Sequence, residues 1–198
     1  KQLALLEKYG FAAEDTILFT LTRLSSKDRY KGYDKVFEAL ALLKPAHPRL
    51  RYLLGGGYDD IEKAYVDAEI SRLGLQDMVT VAGYLPELSL ADHFALADIY
   101  IMPSRKEGFG IVFIEAMFYG LPVIAGNTDG SVDALLNGDL GQLVNPESVP
   151  EIKAALEHIL QNTFGWQPDR ELLMDNFSYE AYKGKLGKLM GQCIDHRS

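Results

Sequence analysis

Short apolar runs alternate with segments of helical period over most of this chain, and that alternation limits what it can fold into. Thr16-Ile-Leu-Phe-Thr-Leu-Thr22 is β-branched and aromatic, as a buried strand requires. A helix over 33–43 follows, with Val36, Phe37, Leu40 and Leu43 on one face, and Pro45 and Pro48 end it. The pattern repeats as a strand over 49–54, a polar helix over 59–73, a strand over 78–82 and a short helix over 89–96 N-capped by Ser89. Strands over 98–102 and 121–125 bracket a helix over 111–119. A helix near 131–136, a short strand near 142–144 and a helix over 149–160 complete the series. Residues 161–175, which hold Trp166, read as irregular or weakly helical. Beyond them Tyr179, Tyr182, Leu186, Leu189 and Cys193 fall at helical spacing behind Ser178 as N-cap. Strand–helix alternation with short connections predicts an α/β fold, a parallel sheet of about six strands flanked on both faces by helices. No repeat or linker interrupts it, so 1–177 is expected to be one domain and 178–198 a terminal helix.

Composition narrows the classes further. Of 198 residues, 47% are hydrophobic and 24% charged, enough apolar content to exclude an intrinsically disordered chain. The net charge of −8 argues against a nucleic-acid partner, because phosphate-backbone affinity rests on basic clusters. The single cysteine, Cys193, permits no internal disulfide and fits a reducing cytoplasm. The richest apolar stretch, 110–119, is interrupted by Glu115 and is too short to span a membrane. The opening residues meet Glu7 too early for a secretory signal, and the first residue is Lys, as in an excised piece of a longer protein. The four histidines are scattered, none at ligand spacing from Cys193, so no metal site is expected. No two aspartates stand two apart, so an Asp-x-Asp metal motif is absent.

Parallel α/β sheets bind ligands where strands end and helices begin. Arg23 and Lys31 follow the first strand, Gly55-Gly56-Gly57 the second, and Gly83-Tyr84-Leu85-Pro86 the third. Pro103-Ser-Arg-Lys-Glu-Gly-Phe-Gly110 follows the fourth and opens into the helix that carries Glu115. Gly108 and Gly110 allow close backbone approach, and the helix start offers free N–H groups to an anion such as a phosphate. Glu107 and Glu115 flank that start. Carboxylates there fit sugar hydroxyls, or else a solvated loop acid and a helix residue favoured by the N-terminal dipole. The glycine triplet reads equally as a plain turn, and Asp129-Gly130 as a simple turn more readily than a sugar contact.

Glu107-Gly-Phe-Gly-Ile-Val-Phe-Ile-Glu115-Ala, followed by Gly120-Leu-Pro-Val-Ile-Ala125, resembles the donor-binding half of the retaining GT-B glycosyltransferases of the glycogen-synthase-like group 1, or family 4, class. The resemblance takes in Thr22-Arg-Leu-Ser and Tyr30-Lys-Gly-Tyr-Asp34, Leu53-Leu-Gly-Gly-Gly57 and Val81-Ala-Gly-Tyr84, and runs over about 16–160. It implies a Rossmann-like domain that binds a nucleotide diphosphate sugar, UDP- or GDP-linked, with no cofactor and no metal. In that reading Arg23 and Lys31 match the diphosphate clamp and Glu115 the acid on the ribose hydroxyls. Glu107 matches the acid facing the donor sugar, with the backbone of Gly108, Phe109, Gly110 and Ile111 holding sugar and phosphate oxygens. Gly56 belongs to the same donor site, and Tyr84 and Leu85 lie where the family contacts the base. Thr22 stands where the family usually has glycine. The longer first loop also sets Lys27 and Arg29 beside Lys31, although Lys31-Gly32 matches best. The resemblance further implies a separate N-terminal domain that binds the acceptor, a glycan or lipid-linked glycan, and without it this chain should bind nucleotide but turn over little. A GT-B-like epimerase or phosphorylase, and a non-catalytic sugar-nucleotide-binding module, remain as alternatives. Lys183, Lys185 and Lys188 on the terminal helix suit a weak contact with the inner membrane face, or a solvated packing helix.

Overall fold

The structure is a computed structural model that describes residues 2–162 and 167–195. Trp166 and His196, and the side chains of Leu189 and Cys193, lie outside the described residues. Six strands form one parallel sheet: β1 (Thr16–Leu21), β2 (Leu50–Gly55), β3 (Val79–Gly83), β4 (Ile99–Met102), β5 (Val123–Gly126) and β6 (Gln142–Val144). Their spatial order is β3-β2-β1-β4-β5-β6, a doubly wound, Rossmann-like α/β arrangement.

Alternate side chains of each strand enter two separate cores. Leu18, Tyr52, Leu54, Ile99, Ile101 and Ile124 face helices α2 (Tyr33–Leu43), α3 (Asp60–Arg72) and α7 (Val149–Gln161). Ile17, Phe19, Leu53, Tyr100, Met102 and Val123 face the opposite layer. That layer holds α1 (Leu3–Tyr9), α4 (Glu87–Leu96), α5 (Ile111–Phe118), α6 (Ser131–Ala134) and α8 (Arg170–Phe177). Each fully buried Leu, Ile or Phe contributes roughly 1.5–3 kcal/mol relative to exposure, so both faces demand covering helices. One polar chain crosses the sheet: the Tyr52 hydroxyl donates to Thr20 Oγ1 at 2.7 Å, and the Thr20 hydroxyl donates to the Ile101 carbonyl.

Three local expectations change. Helix α4 starts two residues earlier than its pattern suggested, with Pro86 as N-cap at φ −59°. Ser89 sits inside the first turn, and its hydroxyl donates to the Pro86 carbonyl at 2.8 Å. The segment expected to be irregular or weakly helical contains the regular helix α8, which runs past it to Phe177, capped by Asp169 Oδ1 on Leu172 N at 3.0 Å and held down by buried Leu173. Helix α1, which the pattern left unassigned, ends on Gly10 and docks against α4, where the Tyr9 hydroxyl meets His93 Nε2 at 2.8 Å. The terminal helix α9 (Tyr179–Asp195) is present with Ser178 as its cap, Ser178 Oγ accepting from Ala181 N at 3.1 Å. Tyr179, Tyr182 and Leu186 on it are exposed.

The loops after β1 and β2 are laced together by backbone hydrogen bonds. Thr22 N donates to Gly55 O and Leu24 N to Gly57 O, both at 2.9 Å. Gly56 lies at φ +138°, and a Cβ there would stand 1.6 Å from the Thr22 carbonyl oxygen. Gly56 therefore sits where two loops meet, with the Thr22 carbonyl beside it, while no atom comes within 4 Å of a Cβ built at Gly57. Gly56→Ala is expected to lower the unfolding free energy by about 1–3 kcal/mol from backbone strain alone, read by urea unfolding. A loss below about 0.5 kcal/mol, the scale of an ordinary surface substitution, contradicts the close approach.

Candidate functional site

Strands β1 and β4 are neighbours, yet their chains leave in opposite directions: β1 leads to α2 on one face and β4 to α5 on the other. The loops at their carboxyl ends part, and a cleft of about 510 Å³ opens between them. Arg23, Asp28, Tyr30 and Lys31 line one wall; Glu107 and the start of α5 at Gly110, Ile111 and Val112 line the other. The first N–H groups of a helix have no partner within it, and the dipole adds partial positive charge there.

Four charges line this cleft as two ion pairs, Arg23–Asp28 within one wall and Lys31–Glu107 across it. Arg23 reaches Asp28 Oδ2 through Nη2 at 2.5 Å and Nε at 2.7 Å, and Lys31 Nζ lies 2.5 Å from Glu107 Oε2. The two pairs differ in setting. Arg23 is three-quarters exposed while Asp28 is almost covered, whereas the Lys31 and Glu107 side chains are only 16% and 18% exposed. Burial works to raise the Asp28 carboxyl. Hydrogen bonds from the Tyr30 hydroxyl and Arg23, with the charges of Arg23 and Lys31, outweigh it and hold the group below its usual value. An exposed pair such as Arg23–Asp28 contributes little to stability, so Arg23 remains available to a competing anion, whereas the Lys31–Glu107 pair is more enclosed.

The loop bearing Glu107 is fixed from behind. Asp129 accepts from Glu107 N at 2.5 Å through Oδ2 and from Ser131 N at 3.0 Å through Oδ1, while Gly130 N donates to Glu107 O at 2.9 Å. Asp129-Gly130 is thus more than a simple turn, because it ties the loop after β5 to the loop after β4. Asp28 and Asp129 are the residues that sequence reasoning missed in these roles; each acts through a contact that no local pattern announces.

The cleft selects among the expected residues. Arg23, Lys31, Glu107, Gly110 and Ile111 come together on it. Lys27 is not among its lining residues, and Arg29 turns to Glu62 and the Tyr65 ring, which leaves Lys31 as the second cation of the cleft lining. Gly108 and Phe109 are exposed outside the lining, the Phe109 ring packing edge-on against Phe177 at 6.0 Å. Glu115 stands on α5, exposed and outside the lining. Burial raises its carboxyl, opposite to the stabilisation that a helix dipole would give. Tyr84 is exposed and also outside the lining. The Leu85 side chain is buried in the core against Gly55, so any contact with a base has to come from its backbone.

Comparison with known proteins places this geometry. The family model described as glycosyl transferases group 1 matches residues 2–183. A GDP-mannose-dependent alpha-(1-6)-phosphatidylinositol monomannoside mannosyltransferase of Mycolicibacterium smegmatis is 29% identical over 196 residues, covering 93% of this chain and 50% of the relative. The sucrose-phosphate synthase structure of Thermosynechococcus elongatus superposes with a TM-score of 0.79 at 28% identity, over 96% of this chain and 48% of that one. The structure of Anabaena HepE in complex with UDP and glucose has the same fold, with a TM-score of 0.79 at 22% identity over 96% of this chain and 51% of that one. The chain therefore spans about half the length of the proteins it matches. A family match over nearly the whole chain, on a doubly wound sheet with its cleft at the switch point, means that the chain belongs to the group 1 glycosyltransferases of GT-B fold.

Proposed function

We propose that this chain is the donor-binding half of a retaining hexosyltransferase that takes its sugar from a nucleotide diphosphate sugar, UDP- or GDP-linked. The observation that carries the reading is the convergence of Arg23, Lys31 and the start of α5 on one cleft with Glu107 opposite. Two fixed cations and a helix N-terminus suit a diphosphate, and they oppose the charge that grows on it as the glycosidic bond breaks. The relatives support a sugar donor of this class, since one is a GDP-mannose-dependent mannosyltransferase and another was solved with UDP and glucose. In this reading Arg23 and Lys31 exchange their internal carboxylates for phosphate oxygens. Glu107, released from Lys31, turns to the donor sugar, and the Gly108–Ile111 backbone holds sugar and phosphate oxygens. Glu115 takes the ribose hydroxyls from its place on α5. A second domain outside this chain would bind the acceptor, a glycan or lipid-linked glycan, and close the cleft, so the chain alone is expected to bind donor without transferring its sugar. Among the described residues no helix is long and apolar enough to cross a membrane. We place the protein in the cytoplasm, at the inner membrane face when the acceptor is lipid-linked, with Lys183, Lys185 and Lys188 of α9 turned outward there.

Arg23→Ala is expected to weaken nucleoside diphosphate binding by about 1.5–3 kcal/mol in calorimetric titration, because it deletes a charge-assisted contact. Unchanged affinity for both UDP and GDP contradicts the clamp. Since Arg23 and Lys31 supply the positive charge, nucleotide affinity should be the same with and without EDTA; a loss that magnesium restores would put a metal in the site.

The two glutamates should separate by ligand. Glu115→Ala is expected to weaken free nucleotide and nucleotide sugar alike, because both carry the ribose. Glu107→Ala removes the internal partner of Lys31, so free nucleotide should bind as well as before or better, while the increment contributed by the sugar falls by roughly 1.5–3 kcal/mol. Titration of each variant with both ligands reads the difference, and equal losses across all four contradict the division of labour.

A further inference from the structure

A carboxylate outside the cleft governs how Lys31 enters it. Glu62, in the first turn of α3, is fully buried. A buried charge of this kind persists only when it is paired and hydrogen-bonded, and the partners of this carboxylate are Arg29, in the loop that follows β1, and Tyr33, where α2 begins. Arg29 Nε lies 2.9 Å and 3.1 Å from the two Glu62 oxygens, and the Tyr33 hydroxyl donates to Oε1. One turn further along α3, the Tyr65 ring lies under the Arg29 guanidinium at 3.8 Å. A single helix thus presents a carboxylate and an aromatic face to one planar guanidinium, a pairing for which a lysine ammonium is the wrong shape.

The two residues that Glu62 holds stand on either side of Lys31. Arg29, Tyr30 and Lys31 form one 3₁₀ turn, and Gly32 then leads into α2 at Tyr33. The turn is also pinned from the cleft side. Arg105 N donates to Tyr30 O at 2.8 Å, and Gly32, at φ +79°, lies so close to Pro103 that a Cβ would stand 2.2 Å from its carbonyl oxygen. The neighbouring residue Asp59 repeats the tie higher in the loop, its Oδ2 accepting from Ser26 N at 3.1 Å. With both flanks and the backbone of the turn fixed, the Lys31 side chain is directed into the cleft, where it meets Glu107.

We infer that Glu62 is a positioning residue for the diphosphate site: it holds Arg29 away from the cleft and sets Lys31 into it. The inference rests on the clamp reading of Lys31 given above. Its consequence is that the charge of Glu62 is felt in ligand affinity only through Lys31.

A double-mutant cycle tests this, with UDP and GDP as the titrants and thermal unfolding as the check on folding. Glu62→Gln keeps the volume and weakens the hold on Arg29; it is expected to reduce affinity about three- to tenfold, within the range of coupling through a shared hydrogen-bond network or backbone shift. The same substitution should reduce affinity less than about twofold in a Lys31→Ala background and by its full factor in an Arg23→Ala background. Tyr33→Phe, which deletes one hydroxyl and keeps the packing, should give a smaller loss with the same dependence on Lys31, and it serves if Glu62→Gln fails to fold. A folded Glu62→Gln or Tyr33→Phe that binds as the parent does overturns the inference and leaves the clamp standing. Losses that persist undiminished without Lys31 also overturn it, because they mark a general softening of the fold. Lys31→Ala with no effect of its own overturns the clamp, and the inference with it.

Discussion

Parallel strands cannot be joined by tight turns, and every other feature of this molecule depends on that constraint. Each strand must return through a helix on one face of the sheet, and two neighbours whose helices take opposite faces leave a gap at their carboxyl ends. Here those neighbours are β1 and β4. The gap requires no side chain to create it. Side chains decide what it holds, and this one is lined by Arg23, Lys31, Asp28 and Glu107 around the open start of α5.

The loops around the gap are held by short polar ties in addition to the buried side chains of Leu24 and Leu85. Thr22 N on Gly55 O, Asp59 on Ser26, Glu62 on Arg29 and Asp129 on Glu107 each join a loop to its neighbour across the strand ends. Hydrogen bonds to charged groups keep directional geometry where the loops are too thin to bury a core. The two hydrophobic layers beneath supply the stability, and these ties supply the position.

What could be read from the sequence follows from the range of the interactions. Helix α2 begins and ends where its apolar period and Pro45 place it, and the sheet strands lie within a residue or two of their apolar runs. Helices α1 and α8 each bury a single residue, Leu6 or Leu173, so neither carries the apolar stripe by which α5, no longer than α8, is read from Phe113, Ala116 and Met117. Lys31 and Glu107 stand 76 residues apart, and only the resemblance to a known family joined them in advance. Asp28, Glu62 and Asp129 belong to no motif of their own, because what distinguishes them is the partner each one meets in the folded chain: Arg23 and Tyr30 for Asp28, Arg29 for Glu62 and the Glu107 backbone for Asp129. Leu85 shows the limit from the other side: a Gly-Tyr-Leu-Pro turn does not declare which of its side chains points inward, and the leucine does.

The environment of Asp28 carries a consequence for how the cleft responds to its surroundings. Burial would raise this carboxyl, yet the Tyr30 and Arg23 hydrogen bonds and the nearby positive charges keep it below its ordinary value of 3.8. A group depressed in the folded state contributes its stabilisation fully above its unfolded pKa and loses it only as the pH falls through the lower folded value. Around neutrality the Arg23–Asp28 pair is therefore indifferent to protons. What could part the pair there is a competing charge beside Arg23, and not a change in the acidity of the solution.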